Sequence, residues 1–246
     1  MKVLGRWLLL LLVAVLGLQI FFILRIAAMA VFDPSSTTFE RSEIWRIGTQ
    51  KTTGLRWRQQ WVPYARLSDH LKRAVITSED DSFVNHDGVD WEAIEKAWQR
   101  NAKAEAEAAR RAQTRAQTQH KPAPKIVGGS TITQQLAKNL LLSGERTLVR
   151  KGQEIVLTFA LEKFLSKERI LEIYLNHVEW GEGVFGAEAA AQHYFRKSAV
   201  RLTPYEAARL AVMLPRPRYF ERLPNSEYLA NRASVIMGRM RDAELP

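Results

Sequence analysis

Three clusters of polar residues lie within otherwise apolar helical sequence, and their side chains suit acid–base chemistry on an anionic substrate. The first is SEDDSFVNHDGVD, residues 78–90, in which Glu79, Asp80 and Asp81 are consecutive. Crowded like charges raise one another's pKa, which is one way to hold a carboxylate ready as a general base. The spacing does not fit an EF-hand calcium loop. A solvated acidic helix end remains the alternative to a functional site.

The second cluster is GGSTITQQLAKN, residues 128–139. Paired glycines let the backbone approach a ligand closely, and the neighbouring hydroxyl groups can donate hydrogen bonds. Gln134 and Lys138 are four residues apart and therefore share a helical face. A helix N-terminus with a nearby lysine suits an anionic group such as pyrophosphate. The spacing is not that of a P-loop, and a glycine turn followed by a Ser/Thr helix cap is the structural alternative.

The third cluster is ERTLVRKGQEIVLTFALE, residues 145–162, in which three cations precede Glu154. These cations are Arg146, Arg150 and Lys151. An ordinary ion pair on a helix surface between Arg150 and Glu154 is one interpretation, because they are four residues apart. The other is that the cations bind phosphate while the glutamate manages a proton or a metal.

The elements that must position these clusters are predicted to be mostly helices, so the predicted fold class is mainly α. A helix is expected to begin near Ser68, and Ser166 is a plausible cap between two further helices. The clearest start is Thr203-Pro204-Tyr205-Glu206, which combines a capping threonine, a first-turn proline and a glutamate three residues on. Residues 33–67 are expected to hold short strands or extended chain.

A hydrophobic segment, residues 7–24, carries no charge, and Gln19 is its only strongly polar residue. This length spans most of a hydrocarbon core of about 30 Å. Lys2 and Arg6 precede the segment, which predicts a cytoplasmic N-terminus and an exported body. A cleaved signal peptide is the alternative, but the apolar stretch exceeds the usual length of a signal-peptide core.

The net charge of +10 favours anionic partners, namely nucleic acid, anionic lipid headgroups or phosphorylated substrates. The absence of cysteine excludes disulfides, thiolate nucleophiles and cysteine-based metal sites.

Residues 99–124 are rich in Ala, Gln, Arg and Lys and poor in large apolar side chains. They are expected to form a solvated helical insertion that runs into a Pro-restricted linker, with contact to lipid or nucleic acid as the alternative.

The motifs, in order, resemble the peptidoglycan glycosyltransferase family, specifically its monofunctional biosynthetic members. The family's acidic motif ED-x-x-F-x-x-H-x-G is matched by Glu79, Asp80, Phe83, His86 and Gly88. Its motif GGST-I-x-QQ-x-x-KN is matched by residues 128–139. Its motif RK-x-x-E is matched by Arg150, Lys151 and Glu154, and its motif K-x-x-ILE-x-YLN by residues 167–176. The match covers about residues 60–220, and the basic insertion is its main departure.

The resemblance implies a lysozyme-like helical head with a small jaw lobe, preceded by one transmembrane helix. It implies a polymerase that transfers a growing glycan from polyprenyl pyrophosphate to the 4-hydroxyl of lipid II, with inversion to a β-1,4 bond. By resemblance, the catalytic residues are Glu79, the base, and Glu154. The implied substrate-binding residues are Asp80, Phe83, His86, Ser130, Thr131, Gln134, Gln135, Lys138, Asn139, Arg146, Arg150 and Lys151.

The expected partners are lipid II, the lipid-linked glycan, the inner membrane and other cell-wall or division proteins, with no nucleic acid. No cofactor is required by the sequence, although Mg or Mn near the pyrophosphate is compatible with it. The expected location is the bacterial inner membrane, as a single-pass protein with a periplasmic catalytic domain. The expected divisions are an anchor (1–32), a juxtamembrane and jaw-associated segment (33–67), the catalytic domain (68–220) and a C-terminal tail helix (221–246).

Two alternatives stay open. The first is a lytic hydrolase on the same lysozyme-like scaffold. Its neutral glycan substrate would need no pyrophosphate clamp, so the cations of the second and third clusters argue against it. A non-catalytic cell-wall scaffold would not need intact Glu79 and Glu154. Transpeptidase activity is not expected, because no serine is followed by lysine three residues on.

Overall fold

The computed structural model describes residues 2–50, 57–114, 129–142, 144–145 and 147–246. The first helices in chain order are α1 (Lys2–Ala28), α2 (Thr38–Gln50), α3 (Asp69–Glu79), α4 (Trp91–Thr114), α5 (Ile132–Leu141) and α6 (Leu148–Phe164). They are followed by α7 (Lys167–His177), α8 (Ala187–Phe195), α9 (Pro204–Met213), α10 (Pro217–Arg222) and α11 (Glu227–Arg239). The predicted mainly α fold is confirmed.

A small sheet of three strands lies between these helices. It consists of β1 (Arg58–Gln59), β2 (Glu179–Gly181) and β3 (Val184–Phe185), with β3 in the middle. Strand β1 runs parallel to β3, whereas β2 pairs antiparallel with it. The sheet therefore joins the segment before α3 to the turn after α7.

The helix starts follow from local capping. Thr203 and Glu206 form a capping box with Pro204 in the first turn of α9, and the Ser166 hydroxyl caps α7, so both predicted starts are confirmed. Ser68 precedes α3 as expected, although its side chain makes no cap hydrogen bond. Helix α9 ends before Pro215, and Pro217 begins the next helix.

The core forms where α3 packs against α9, α9 against α11, and α5 against α6 and α7. Fully buried side chains from these helices include Leu71, Ile132, Tyr174, Leu210 and Ile236. Burial of this apolar area supplies the main driving force for the arrangement. Since α3, α5, α6 and α7 all contribute to this core, it also holds the predicted functional residues in place.

The expectation of strands or extended chain over residues 33–67 was wrong for its first part, where α2 forms. Glu40 accepts a hydrogen bond from the Thr37 backbone N–H, and the Thr37 hydroxyl accepts one from Glu40. This is a capping box, which stabilises a helix start. The buried Glu40 carboxylate also contacts Nδ1 of His177 at 2.8 Å. The helix is therefore fixed against the end of α7.

Helix α1 is long and apolar enough to cross a membrane by length and composition. Its first part is exposed to the surroundings, while Ile26 near its end is completely buried in the core. Arg169 of α7 donates hydrogen bonds to the carbonyl groups of Met29 and Phe32, just after the helix. The helix is thus compatible with a single-pass anchor that is attached directly to the helical body.

The predicted basic insertion begins as the continuation of α4, which runs to Thr114. Asn101 and Ala104 are half-buried, whereas most of their neighbours in this part of the helix are exposed. The remainder of the insertion, with the expected Pro-restricted linker, lies outside the described residues. The predicted C-terminal helix is present as α11.

Candidate active site

Glu79 is the last residue of α3, and its carboxylate faces α5. Nε2 of Gln135 donates a hydrogen bond of 2.9 Å to Oε2 of Glu79. The phenol of Tyr174, in α7, donates to Oε1 of the same glutamine at 3.0 Å. Because an ionised carboxylate can only accept, the NH₂ group of Gln135 faces Glu79, and the carbonyl oxygen of the amide is left to accept from Tyr174. Three helices therefore position one carboxylate.

The surroundings of Glu79 raise its pKa above the ordinary glutamate value. The main cause is burial, and the negative charge of Asp80 adds to it. The hydrogen bond from Gln135 and the charge of Lys138 oppose the shift. The crowded carboxylates predicted from the sequence to raise this pKa contribute less than burial does. A carboxylate with a raised pKa is a better proton acceptor than an exposed one.

Asp80 and Asp81 point in different directions from Glu79. Oδ2 of Asp80 accepts the backbone N–H of Ile132, in the first turn of α5, at 2.9 Å. Oδ1 of Asp80 lies 2.9 Å from Nε2 of His86. Asp81 instead forms an ion pair with Arg239 at the surface. Asp80 therefore joins α3 to the N-terminus of α5, where a negative charge is favourable.

His86 is held in one tautomer by its neighbours. Its Nδ1 accepts the backbone N–H of Gly88 at 3.1 Å, so the hydrogen of the neutral ring belongs on Nε2, facing Asp80. The ammonium group of Lys167 donates to the carbonyl of His86 and lies 4.6 Å from the centre of the Phe83 ring. These contacts fix the loop that follows Glu79.

The glycines near the site are required by contacts within the protein. Gly88 has φ +88°, and a Cβ there would lie 2.6 Å from a methyl group of Thr158. A Cβ on Gly129 would lie 3.2 Å from the backbone of Ile94. Of the two interpretations of the paired glycines, approach to a ligand or a turn followed by a Ser/Thr cap, the second agrees with the structure, because Gly129 packs against α4 and Thr131 caps α5. Gly128 lies outside the described residues.

Thr131 connects the first two predicted clusters. Its hydroxyl donates to the carbonyl of Gly88 at 2.6 Å and accepts the backbone N–H of Gln134 at 3.1 Å. The Gln134 side chain in turn accepts from the Thr131 backbone, which completes a capping box at the start of α5. One of two adjacent glutamines thus caps the helix, while the other, Gln135, contacts Glu79.

A cleft of about 900 Å³ opens beside α5 and α6. Its lining includes the predicted residues Ser130, Gln134, Gln135, Lys138, Asn139, Arg150, Lys151 and Glu154. It also includes residues that the sequence analysis did not select: Thr38, Phe39, Ser42, Leu142, Gly144, Glu145, Thr147, Leu148, Val178, Glu179, Leu214, Pro215 and Pro217. The cleft thus brings the second and third clusters together and adds one wall from α2.

Glu154 lies inside the cleft wall with only 3% of its surface exposed. Its two carboxylate oxygens are each engaged, by Arg150 at 2.8 Å and by Lys151 at 2.5 Å. Nε of Arg150 is buried and has no hydrogen-bond partner among the described residues. A buried donor without a partner is costly, so an acceptor that reached this nitrogen would be bound favourably.

Lys138 interacts electrostatically with both predicted catalytic carboxylates. Burial lowers the pKa of its ammonium group, and the positive charges of Arg150 and Lys151 lower it further. The charges of Glu154 and Glu79 act in the opposite direction. Since Lys138 responds to both carboxylates, it lies within electrostatic range of the two halves of the site.

The arrangement does not fit a protein-held divalent cation. Both oxygens of Glu154 already contact cationic side chains. Among the described residues, no three His, Asp or Glu side chains converge in a metal-binding group. Charge at a bound phosphate would therefore be met by Lys138, Arg150 and Lys151.

Several predicted site residues are placed away from the cleft. Asp80, Phe83, His86 and Thr131 hold the loop and the start of α5, and they do not line the cleft. Glu79 is not a lining residue either, but its partner Gln135 is. Arg146 lies outside the described residues. The site thus consists of one partly buried carboxylate beside a cleft and a cluster of cations within it.

Comparisons with known proteins give a consistent result. A family model described as Transglycosylase matches residues 48–241. A relative from Herminiimonas arsenicoxydans, named biosynthetic peptidoglycan transglycosylase, is 47% identical over 250 residues and covers 100% of both chains. Proteins of the same name from Burkholderia thailandensis and Bordetella pertussis are each 51% identical. These alignments cover 94% and 87% of the present chain, and 83% and 82% of the relatives, respectively.

Proposed function

Because the chain belongs to the transglycosylase family, we propose that its cleft joins lipid-linked disaccharide units, with Glu79 as the catalytic base. The chain is a peptidoglycan glycosyltransferase, and the polymerisation of glycan strands is its function. The proposal concerns the substrates, the chemical step and the residues that perform it. The observation that carries it is the pairing of one carboxylate of raised pKa with a cation-lined cleft.

Glu79 activates the acceptor. The acceptor is the 4-hydroxyl of lipid II, whose oxygen attacks the anomeric carbon of the donor while its proton passes to the Glu79 carboxylate. The raised pKa of Glu79 makes this transfer more favourable than it would be to an ordinary glutamate. Gln135 holds the carboxylate at 2.9 Å, and Tyr174 holds Gln135, so the base is preorganised.

The cation cluster stabilises the leaving group. As the new glycosidic bond forms, the bond between the anomeric carbon and the phosphate oxygen breaks, and its electron pair stays on the lipid pyrophosphate. Lys138, Arg150 and Lys151 line the cleft where this charge develops. Preorganised cations stabilise developing charge more effectively than water does. Attack from the side opposite to the pyrophosphate inverts the α-linked donor to a β-1,4 bond.

Glu154 orients the cations. Both of its oxygens accept hydrogen bonds from Arg150 and Lys151, so it is placed to hold these groups and has no free oxygen in this arrangement. Its negative charge also raises the pKa of the Lys138 ammonium group, against the larger lowering effect of burial. Glu154 is therefore proposed to act through its three cationic neighbours.

Two further properties are part of the proposal. Helix α1 anchors the protein in the inner membrane with a cytoplasmic N-terminus and a periplasmic catalytic domain. This topology is supported by the apolar helix and by the preceding Lys2 and Arg6. The boundaries between the anchor, the juxtamembrane segment, the catalytic domain and the C-terminal tail, after residues 32, 67 and 220, are proposed as well. A membrane position suits the reaction because both substrates carry lipid tails.

The test is incubation of the full-length protein with labelled lipid II in membranes. We expect a polymer that lysozyme digests. A lytic hydrolase would instead release soluble fragments from preformed glycan, and this result without polymer formation would overturn the proposal. A scaffold protein would give neither product.

A further inference from the structure

One polar residue of the anchor has a specific partner. Over residues 3–21, Gln19 is the only side chain that is partly buried, whereas the apolar side chains around it are exposed. Its amide makes two reciprocal hydrogen bonds with Gln153 of α6, at 2.9 and 3.0 Å. The side chains that face the body of the protein are Gln19, Phe22, Ile26 and Met29, which recur at helical spacing. The anchor thus docks through one stripe, with the glutamine at its inner end.

Gln19 lies within the apolar segment, residues 7–24. Gln19 precedes Arg25 by six residues, which is about 9 Å along a helix. Arg25 is the first charge after the apolar segment and suits the headgroup region. On the α6 side, the exposed apolar residues Val149 and Val156 flank Gln153. Amides in hydrocarbon need partners because no water can replace them.

The partner residue belongs to the helix that carries the cation cluster. Gln153 directly precedes Glu154, and Arg150 lies one helical turn before it. A shift of α6 along the membrane normal would therefore move these groups relative to the lipid headgroups. Arg169 donates hydrogen bonds to the carbonyls of Met29 and Phe32, but it belongs to α7 and so connects the end of the anchor to that helix. In the described part of the chain, the glutamine pair joins α1 to α6 through side-chain hydrogen bonds.

We propose that Gln19 and Gln153 form an amide clasp within the outer leaflet that sets the depth of α6. The clasp thereby sets the height of Arg150, Lys151 and Glu154 relative to the lipid pyrophosphate. This inference rests on the proposed function for its catalytic consequence, and both glutamines are positioning residues. Its physical reason is that a paired amide is stable in lipid at one register of the two helices, whereas a slip would separate two buried amides.

The contact can be tested by cross-linking in membranes. The chain has no cysteine, so Gln19→Cys with Gln153→Cys introduces the only two thiols. The matched control is Phe21→Cys with Gln153→Cys, because Phe21 is exposed and lies on the opposite side of α1. We expect rapid disulfide formation in the first protein and little in the control. Equal yields in both, or none in the first, would overturn the clasp.

The depth can be measured with a spin label on Val149→Cys, which would again be the only thiol. The accessibility of the label to oxygen and to a water-soluble nickel chelate reports its depth in the bilayer. We expect Gln19→Leu to move the label toward the headgroups, whereas Leu18→Ala, on an exposed position, leaves it in place. An unchanged depth in the Gln19→Leu protein would contradict the proposal.

The catalytic consequence is a separation of KM from kcat. In bilayers, Gln19→Leu and Gln153→Leu should each raise the KM for lipid II about threefold. This factor corresponds to the free energy of a typical interhelical hydrogen bond in a membrane. The kcat should change less, and the double variant should be no worse than either single variant. In detergent micelles, which impose no fixed depth, the difference should shrink. An unchanged KM in bilayers would exclude the positioning role. If the Gln19→Cys, Gln153→Cys protein cross-links but the wild-type protein forms no polymer, the proposed function is contradicted while the clasp itself stands.

Discussion

Gln135 donates a hydrogen bond of 2.9 Å to the carboxylate of Glu79, across the interface between α5 and α3. The contact joins the residue that is proposed to take the proton to the helix that lines the cation cleft. It also lowers the pKa of Glu79 against the larger effect of burial. The pH at which the base becomes active is therefore lower than burial alone would set it, because of this hydrogen bond.

The first prediction concerns the acidic limb of the pH–rate profile. The base must be ionised, so activity is lost as the pH falls through the raised pKa of Glu79. Gln135→Leu removes the hydrogen bond that lowers this pKa, and the limb should move to higher pH. The profile of kcat/KM against pH measures the shift. Tyr174→Phe is the control, because it keeps the donor to Glu79 and should shift the limb less. A shift to lower pH in Gln135→Leu would contradict the assignment.

The second prediction concerns the alkaline limb. Burial and neighbouring cations lower the pKa of Lys138, so its charge is lost as the pH rises through a value below that of an ordinary lysine. Lys138→Arg retains the charge at all accessible pH values and should extend activity to higher pH. Glu154→Gln removes a charge that raises this pKa and should move the limb to lower pH. An alkaline limb that is identical in all three proteins would show that Lys138 does not set it.

The third prediction concerns the leaving-group cations. Arg150→Ala should lower kcat by about 100-fold, because a preorganised donor at the developing charge is lost. The matched control is Lys163→Ala, which removes an exposed cation from the last turn of the same helix and should leave kcat near the wild-type value. Initial rates at saturating lipid II provide the comparison. Similar losses in both variants would indicate a general effect of charge and would argue against a specific clamp.

How far the sequence predicts this site depends on how local each interaction is. The capping boxes at Thr203 and Thr131 can be identified in the sequence, because the two residues of each box lie within four positions of each other. The Thr131–Gln134 box could have separated the roles of the two adjacent glutamines, and the Thr37–Glu40 box could have identified α2. Both signals are Ser/Thr followed three residues later by Glu or Gln.

Other features depend on partners far along the chain. Asp80 accepts the backbone N–H of Ile132, 52 residues away, and the sequence does not reveal that α3 ends beside the start of α5. The same is true of Phe39 and Ser42, which line the cleft because the buried Glu40 binds His177. The motifs therefore predicted which residues gather, but not which of them face the cleft.

The fourth prediction concerns Gly88, which supports the loop after Glu79. Gly88→Ala places a Cβ at φ +88° against Thr158 and should destabilise the fold by about 1–3 kcal/mol. Gly48→Ala is the control, since nothing lies near that position in α2 and alanine favours the helix by about 0.5–1 kcal/mol. The free energy of unfolding in the same detergent measures both changes. Equal stability of the two variants would show that the loop does not need this conformation.

The most direct test of the central claim is the activity and stability of Glu79→Gln. The folded protein raises the pKa of Glu79 above its unfolded value, so the ionised carboxylate destabilises the fold at pH values above that range. The neutral amide removes this cost. The variant should therefore have a Tm equal to or above the wild-type value at neutral pH, and the difference should vanish in acid. Its polymerisation of lipid II should nevertheless fall by at least about 100-fold, because general-base catalysis is lost. Near-wild-type polymer formation by the folded variant would contradict the assignment of Glu79 as the base.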